Sequence, residues 1–195
     1  GQLSFLDEPG KKLNLNAKHI FIRAGNLLIG NETHPFSADA TITLHGDKRD
    51  ESLRMSGTVE AGNKLIANNA RLELFGQARS RMSRLRDEVF KGDSSMRVEA
   101  DLDWVAGDKI YIAPTNLQSY HHEYMEIASY EKSSGSITLT EPLSYYHFGK
   151  VDSTEGDYGV DMRAEVVLLS RNVRIVGDTS NDWGGAVLTA DRIEA

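Results

Sequence analysis

The sequence contains no cysteine. That excludes disulfides, thiol catalysis and thiolate metal sites. It leaves the compartment open, because a cysteine-free domain of this size folds on either side of a membrane. There is no basic excess either: 22 Lys and Arg stand against 29 Asp and Glu, a formal net charge of −7. Nucleic acid and anionic membrane both favour a basic surface, so the balance speaks against a general affinity for either. No apolar run is long enough to span a bilayer, and membrane association is expected only through other parts of a parent chain. The opening GQLSFLDEPGKK has no basic region followed by an apolar one, so it does not read as a signal peptide. Phosphate-cradling glycine loops, catalytic serine motifs and His-Glu-x-x-His spacing are also missing.

What is present is a chain of 195 residues, 39% hydrophobic and 26% charged, enough to bury a core and too apolar to be disordered. Strand signals dominate. HIFIRAGNLLIG, ATITLHGD, RLELFG, DKIYIA, SITLTEPL and AEVVLLS alternate or run apolar between Gly, Asn, Asp and Ser. Residues 78–90, ARSRMSRLRDEVF, are the one helix candidate: Met82, Leu85 and Val89 are spaced three and four apart. A motif recurs at irregular spacing. NAKHIFIRAG (16–25), NNARLELFG (68–76) and RNVRIVG (171–177) each set Asn and a basic residue before a short strand ending in Gly. This suits the corners of a parallel β-helix, in which stacked rungs bury their inward residues on one another. A sandwich or irregular barrel would give a similar strand count.

Several of these pieces together resemble the eight-glycine domain family, in its fibrocystin-like branch, with hyaluronan-handling cell-surface proteins as cousins. They are HIFIRAGNLLIG, ATITLHGD, ARLELFGQ, LDWVAGDKIYIA, ITLTEPLSYYHFG and GVDMRAEVVLLSRNVRIVGD, in that family's order over roughly residues 3 to 178. The chain departs near ARSRMSRLRDEVF, where the family has an aromatic residue before a Thr and a short apolar run. The resemblance implies an all-β fold in, or leading into, a right-handed parallel β-helix. It divides the chain into an eight-glycine domain, 1–178, and the start of a further rung, 179–195. It also implies an extracellular or cell-surface ectodomain, with a glycan or protein as partner. GGAVLTADRIEA ends as a strand and its turn without a polar cap, so a fragment of a longer polypeptide is expected.

Four stretches hold residues that could do chemistry. In LDWVAGDKIYIA, Asp103 and Trp104 could form a sugar platform, an indole face with a carboxylate beside it. The architectural alternative has Gly107 and Asp108 making the turn and Trp104 packing over the strand start. In SYHHEYMEI, His121, His122, Glu123 and Glu126 look like metal ligands, but adjacent strand side chains point to opposite faces, so no metal site is expected.

The stretch YYHFGKVDSTEGDYGVDMRAE carries His147, Asp152, Glu155, Asp157, Asp161, Arg163 and Glu165. Two carboxylates and a proton-transferring His would suit glycoside hydrolysis. The resemblance to hyaluronan-degrading relatives singles out His147, Asp161 and Arg163 as a catalytic set. A structural ion-pair network is the alternative. No cofactor is expected; an acidic, glycine-rich loop leaves room for calcium without a calcium motif. Arg79, Arg81, Arg84 and Arg86 could hold a polyanionic glycan, although Asp87 and Glu88 follow at once. Asn31-Glu32-Thr33 is a glycosylation sequon if the chain is secreted. The leading expectation is a non-catalytic recognition module; the competitor is part of a polysaccharide-degrading β-helix.

Overall fold

The structure is a computed structural model that describes residues 1–57, 59–150 and 160–190. It is all-β apart from one turn of 3-10 helix at Ser119–His121, among the described residues. Two units divide the chain. Residues 79–170 form one, and the segments 1–78 and 171–195 on either side form the other.

The flanking unit is built from short parallel strands. β1 (Gln2–Ser4), β2 (Lys12–Ala17), β3 (His19–Ile22) and β4 (Asn26–Ile29) are followed by β5 (Asp39–Leu44) and a hairpin, β6 (Leu53–Ser56) and β7 (Val59–Gly62). β8 (Leu65–Asn68) and β9 (Arg71–Leu74) complete the first segment. After the second unit, which holds β10 to β15, come β16 (Val173–Gly177) and β17 (Ala186–Thr189). β2 pairs with β5 and β5 with β16; β3 pairs with β8 and β8 with β17; β1 pairs with β4 and β4 with β9. All of these pairings are parallel. Each pass of the chain therefore lays a strand on successive sheets, and passes stack in register, which is the pairing of a β-solenoid. The sequence of β5 shows why: Ala40, Ile42 and Leu44 are buried while Asp39, Thr41 and Thr43 point the other way. Ala40, Ile42 and Leu44 meet Ile29, Phe36 and Ile66 in one cluster.

The Asn–basic–strand–Gly motif falls on β3, β9 and β16, one in each of the three sheets. It marks corners, not equivalent positions of successive rungs, and this explains its irregular spacing. At the corner that receives β16, the Asn172 amide donates to Phe36 O (2.7 Å) and Ala38 O (2.8 Å) and accepts from Gln77 N (2.9 Å). A Cβ on Gly76 would lie 2.5 Å from Asn172 Oδ1, so this approach admits no side chain.

The second unit is antiparallel. β10 (Met82–Arg84), β11 (Ser95–Arg97), β12 (Lys109–Ile112), β13 (Glu123–Glu131), β14 (Ser136–Leu139) and β15 (Glu165–Leu168) form one sheet in the order β10-β15-β12-β13-β14-β11. The β13–β14 connection, with Gly135 at φ 71°, is too short for a crossover and dictates an antiparallel pair. Ile110, Ile112, Ile127, Val166 and Leu168 form the inner face of this sheet and pack with Trp104, Leu85 and Val89.

The helix expected over residues 78–90 is not formed. Met82 to Arg84 is strand β10 instead, and Val89 bridges to His147. The apolar spacing misleads because Met82 is exposed while Ser83, Leu85 and Val89 are buried.

Candidate functional site

Trp104 is only 3% exposed, its ring lying in the core 6.4 Å from that of Tyr130. Burial removes both indole faces from any sugar. The indole Nε1 donates to Ser80 O (2.7 Å), and Asp103 accepts from Ser80 N (2.9 Å). Gly107 takes φ 85°, a conformation side chains resist. Asp108 accepts from Val105 N (2.9 Å) within that turn. Arg79 lies against this turn, donating to Asp108 Oδ2 (2.7 Å) and Asp103 O (2.7 Å). The bond to Asp108, with the charges of Asp108 and Asp103, raises the guanidinium pKa above its ordinary value. Arg79 thus fastens the loop.

His147 is fully buried. Its Nδ1 faces Ala113 O (3.0 Å), an acceptor only, so that nitrogen donates. Its Nε2 lies 2.9 Å from Glu123 Oε1. Glu123, also buried, accepts the backbone N–H groups of Ser144 (2.7 Å) and Tyr145 (3.1 Å). The pair ties β13 to the strand end at Ala113 and to the 143–147 segment.

Asp161 and Arg163 lie at the surface instead. Arg163 grips Asp161 with two parallel bonds, Nε to Oδ1 (2.9 Å) and Nη2 to Oδ2 (2.8 Å). Its Nη1 donates to Glu99 Oε1 (3.0 Å) and Leu85 O (3.3 Å). All of its nitrogens are engaged. Bonding from Arg163, with the nearby charge of Arg84, lowers the Asp161 carboxyl to about 2. Arg84 joins the same network, donating to Glu165 Oε1 (2.9 Å) and Arg163 O (3.1 Å). Arg86 pairs with Glu99 across 3.3 Å and Asp87 with Arg97, and the Arg81 side chain is exposed without a partner among the described residues.

Arg84, Asp161, Arg163 and Glu165 border a cleft of about 500 Å³, completed by residues 113–117. Asp161, Arg163, Arg84 and Glu165 are brought together there; His147 sits behind Ala113 with no face on it. Asp152, Glu155 and Asp157 lie outside the described residues. His121 stacks on Tyr145 (4.1 Å) and His122 on Tyr111 (5.5 Å), and no group of metal-binding side chains converges among the described residues. Asn31 is exposed in a turn, its Oδ1 accepting from Thr33 N (3.0 Å) and His34 N (2.8 Å).

One feature gave no sequence signal. Lys64 is fully buried in the solenoid unit, where its ammonium donates to Asp178 O (3.0 Å) and Trp183 O (2.5 Å). The Asp178 carboxylate is 3.5 Å away and also meets His45 Nδ1 (2.6 Å).

A partly parallel, partly antiparallel all-β chain with these strand motifs matches a known class: the G8 domain family model fits residues 1–86, so this part of the chain is of the eight-glycine class. The particular relatives extend that likeness over nearly the whole sequence. Fibrocystin-L of Mus musculus is 33% identical over 179 residues, covering 90% of this chain and 4% of that protein. A G8 domain-containing protein of Dictyostelium discoideum is 25% identical over 187 residues, 91% of this chain and 15% of that protein. The chain thus spans a small part of the relatives it matches. Among solved structures, the Gp54 tailspike of Acinetobacter baumannii bacteriophage AP22, in complex with capsular saccharide, aligns at a TM-score of 0.40 and 12% identity, over 93% of this chain and 27% of that one.

Proposed function

We propose that the chain is a non-catalytic recognition module of an extracellular, fibrocystin-like protein, holding surface loops and clefts toward a glycan or protein partner. One observation carries this reading: the titratable groups that resemble a hydrolase set are not converged, and each is committed to a fixed partner, Asp161 to Arg163 and His147 to Glu123 and Ala113 O. A general acid or base works best with a pKa near the operating pH. Asp161 sits far below that range under the Arg163 clamp, and both ring nitrogens of His147 are engaged inside the core. The 500 Å³ cleft then serves as a binding contour whose charges are already paired. The extracellular setting draws on the likeness to fibrocystin-L, and the exposed sequon at Asn31 suits it.

The test is a hyaluronan depolymerisation assay, with and without calcium, beside a glycan array on the same chain. No cleavage is expected under either condition. Cleavage that disappears in Asp161→Asn would overturn the reading and make the module an enzyme.

A further inference from the structure

The outer face of the six-stranded sheet carries an aromatic row that the candidate cleft does not use, although Arg84 and Glu165 border both. Register aligns Met82 with Val167, Val167 with Tyr111 and Tyr111 with Tyr124, one row across β10, β15, β12 and β13. Alternation turns this row outward, since Ile110, Ile112, Val166 and Leu168 fill the inner face. Tyr124 is 69% exposed and Met82 52%. The Tyr111 and Tyr124 rings are 5.4 Å apart, and His122 stacks on Tyr111 at 5.5 Å with 28° between planes. Neither tyrosine hydroxyl has a partner among the described residues. Aromatic residues facing solvent in a cluster leave apolar faces and polar tips available together.

The flanks of the row carry polar groups of both signs. On one side Arg84 and Glu165 are register neighbours joined at 2.9 Å. On the other, Lys109 and Glu126 are register neighbours. A second cleft, of about 270 Å³, opens there between Lys109, Tyr124, Glu126, Thr140 and Leu169. Each cation thus has a carboxylate opposite, so the face offers no net positive field to a polyanion. It offers ring faces for C–H surfaces, flanked by donors and acceptors for hydroxyl groups.

We propose that this outer face, centred on Tyr111 and Tyr124, binds an uncharged glycan, whose pyranose rings stack on the tyrosines while hydroxyls reach the Arg84–Glu165 and Lys109–Glu126 edges. The inference deepens the recognition reading above and rests on it.

The test is calorimetry on the whole chain with cellohexaose, maltohexaose and a mannose hexasaccharide, and with a hyaluronan hexasaccharide as the charged comparison. At least one neutral oligosaccharide is expected to bind. Tyr124→Ala, at an exposed position, should weaken it roughly tenfold, the loss of one stacked ring. Tyr124→Trp should retain it, and Lys91→Ala, on an exposed turn elsewhere, should leave it unchanged. Tyr111→Ala should weaken it as well, read together with a circular dichroism spectrum because Tyr111 is half-buried. Absence of neutral-sugar binding, binding confined to hyaluronan, or neutral binding indifferent to Tyr124→Ala would each overturn the proposal. The reading of the module as non-catalytic fails separately, by cleavage in the depolymerisation assay.

Discussion

The two units satisfy their polar groups in different ways. In the solenoid unit, several polar side chains, among them the buried Lys64, are turned onto the backbone, while surface pairs such as Arg54–Glu60 and Arg71–Glu73 meet one another. Lys64 donates to two carbonyls, Asn172 to two more, and Asp7 accepts from Ser37 N (2.8 Å) and Ala38 N (2.9 Å). In the antiparallel unit, arginines anchor on carboxylates, Arg79 on Asp108, Arg84 on Glu165, Arg97 on Asp87 and Arg163 on Asp161, and Arg79, Arg84 and Arg163 reach carbonyls as well. The difference follows from topology. A stack of short parallel strands turns a corner every few residues, and corner amides and carbonyls have no ladder partner. Side chains must supply one. An antiparallel sheet with tight connections pairs most of its own backbone, which leaves the polar side chains free to pair on its surface.

The largest test of this comparison strikes the buried carboxylate of the antiparallel unit, Glu123, which serves both an imidazole and the backbone. Glu123→Ala strips the buried His147 of its partner and leaves the amides of Ser144 and Tyr145 without acceptors. Breaking a buried pair from one side costs roughly 3–5 kcal/mol. Urea unfolding should show that loss, and hydrogen exchange should show it concentrated in residues 79–170. Equal deprotection of the flanking unit would mean that the two share one cooperative transition.

The matching test in the solenoid unit is Lys64→Met. It fills the same volume and leaves the carbonyls of Asp178 and Trp183 without their donor. About 2 kcal/mol is expected from two weakened acceptors, with the loss of protection centred on β16 and β17. A neutral or stabilising effect would show that burying the ammonium costs as much as its bonds return. Next in size is Arg163→Lys. An ammonium cannot reproduce the two-pronged grip on Asp161 together with the bond to Glu99, and about 1–2 kcal/mol should go.

Much of the strand content could be read from the alternation of buried and exposed residues, as in Ala40, Ile42 and Leu44 or Ile110 and Ile112. Strand direction could not. It depends on which strand becomes a neighbour, and β5 meets β16 across more than a hundred residues. The arginine cluster shows the same limit. Arg79, Arg84 and Arg163 stand near acids in sequence, yet their strongest partners are not always those. Arg84 reaches Glu165 and Arg79 reaches Asp108, carboxylates far from the 78–90 segment in sequence. His147 looked like a proton-transfer group because of its residue type; burial beside Glu123 is a tertiary fact. The outer tyrosines were visible in part, since the alternation that buries Ile110 and Ile112 must expose the residues between and beside them.

The smallest expected effect compares the two units directly, through one depressed carboxylate in each. Asp178, in the solenoid unit, is held at about 2 by bonds from Ser180 and His45 and by the charge of Lys64. Asp161, in the antiparallel unit, is held at about 2 by Arg163 and Arg84. A carboxyl group whose folded pKa lies below its unfolded value binds fewer protons when folded. Its contribution is therefore complete above the unfolded value of 3.8 and is lost as pH falls from there through about 2. Both units should loosen on this acid limb, and neither carboxylate should contribute any slope near neutrality. Asp178→Asn should flatten the acid limb seen by exchange in the solenoid unit and leave that of residues 79–170 alone; Asp161→Asn should do the reverse. If either substitution flattened both limbs, the acid responses would be coupled, and the two carboxylates would be reporting a single folding event.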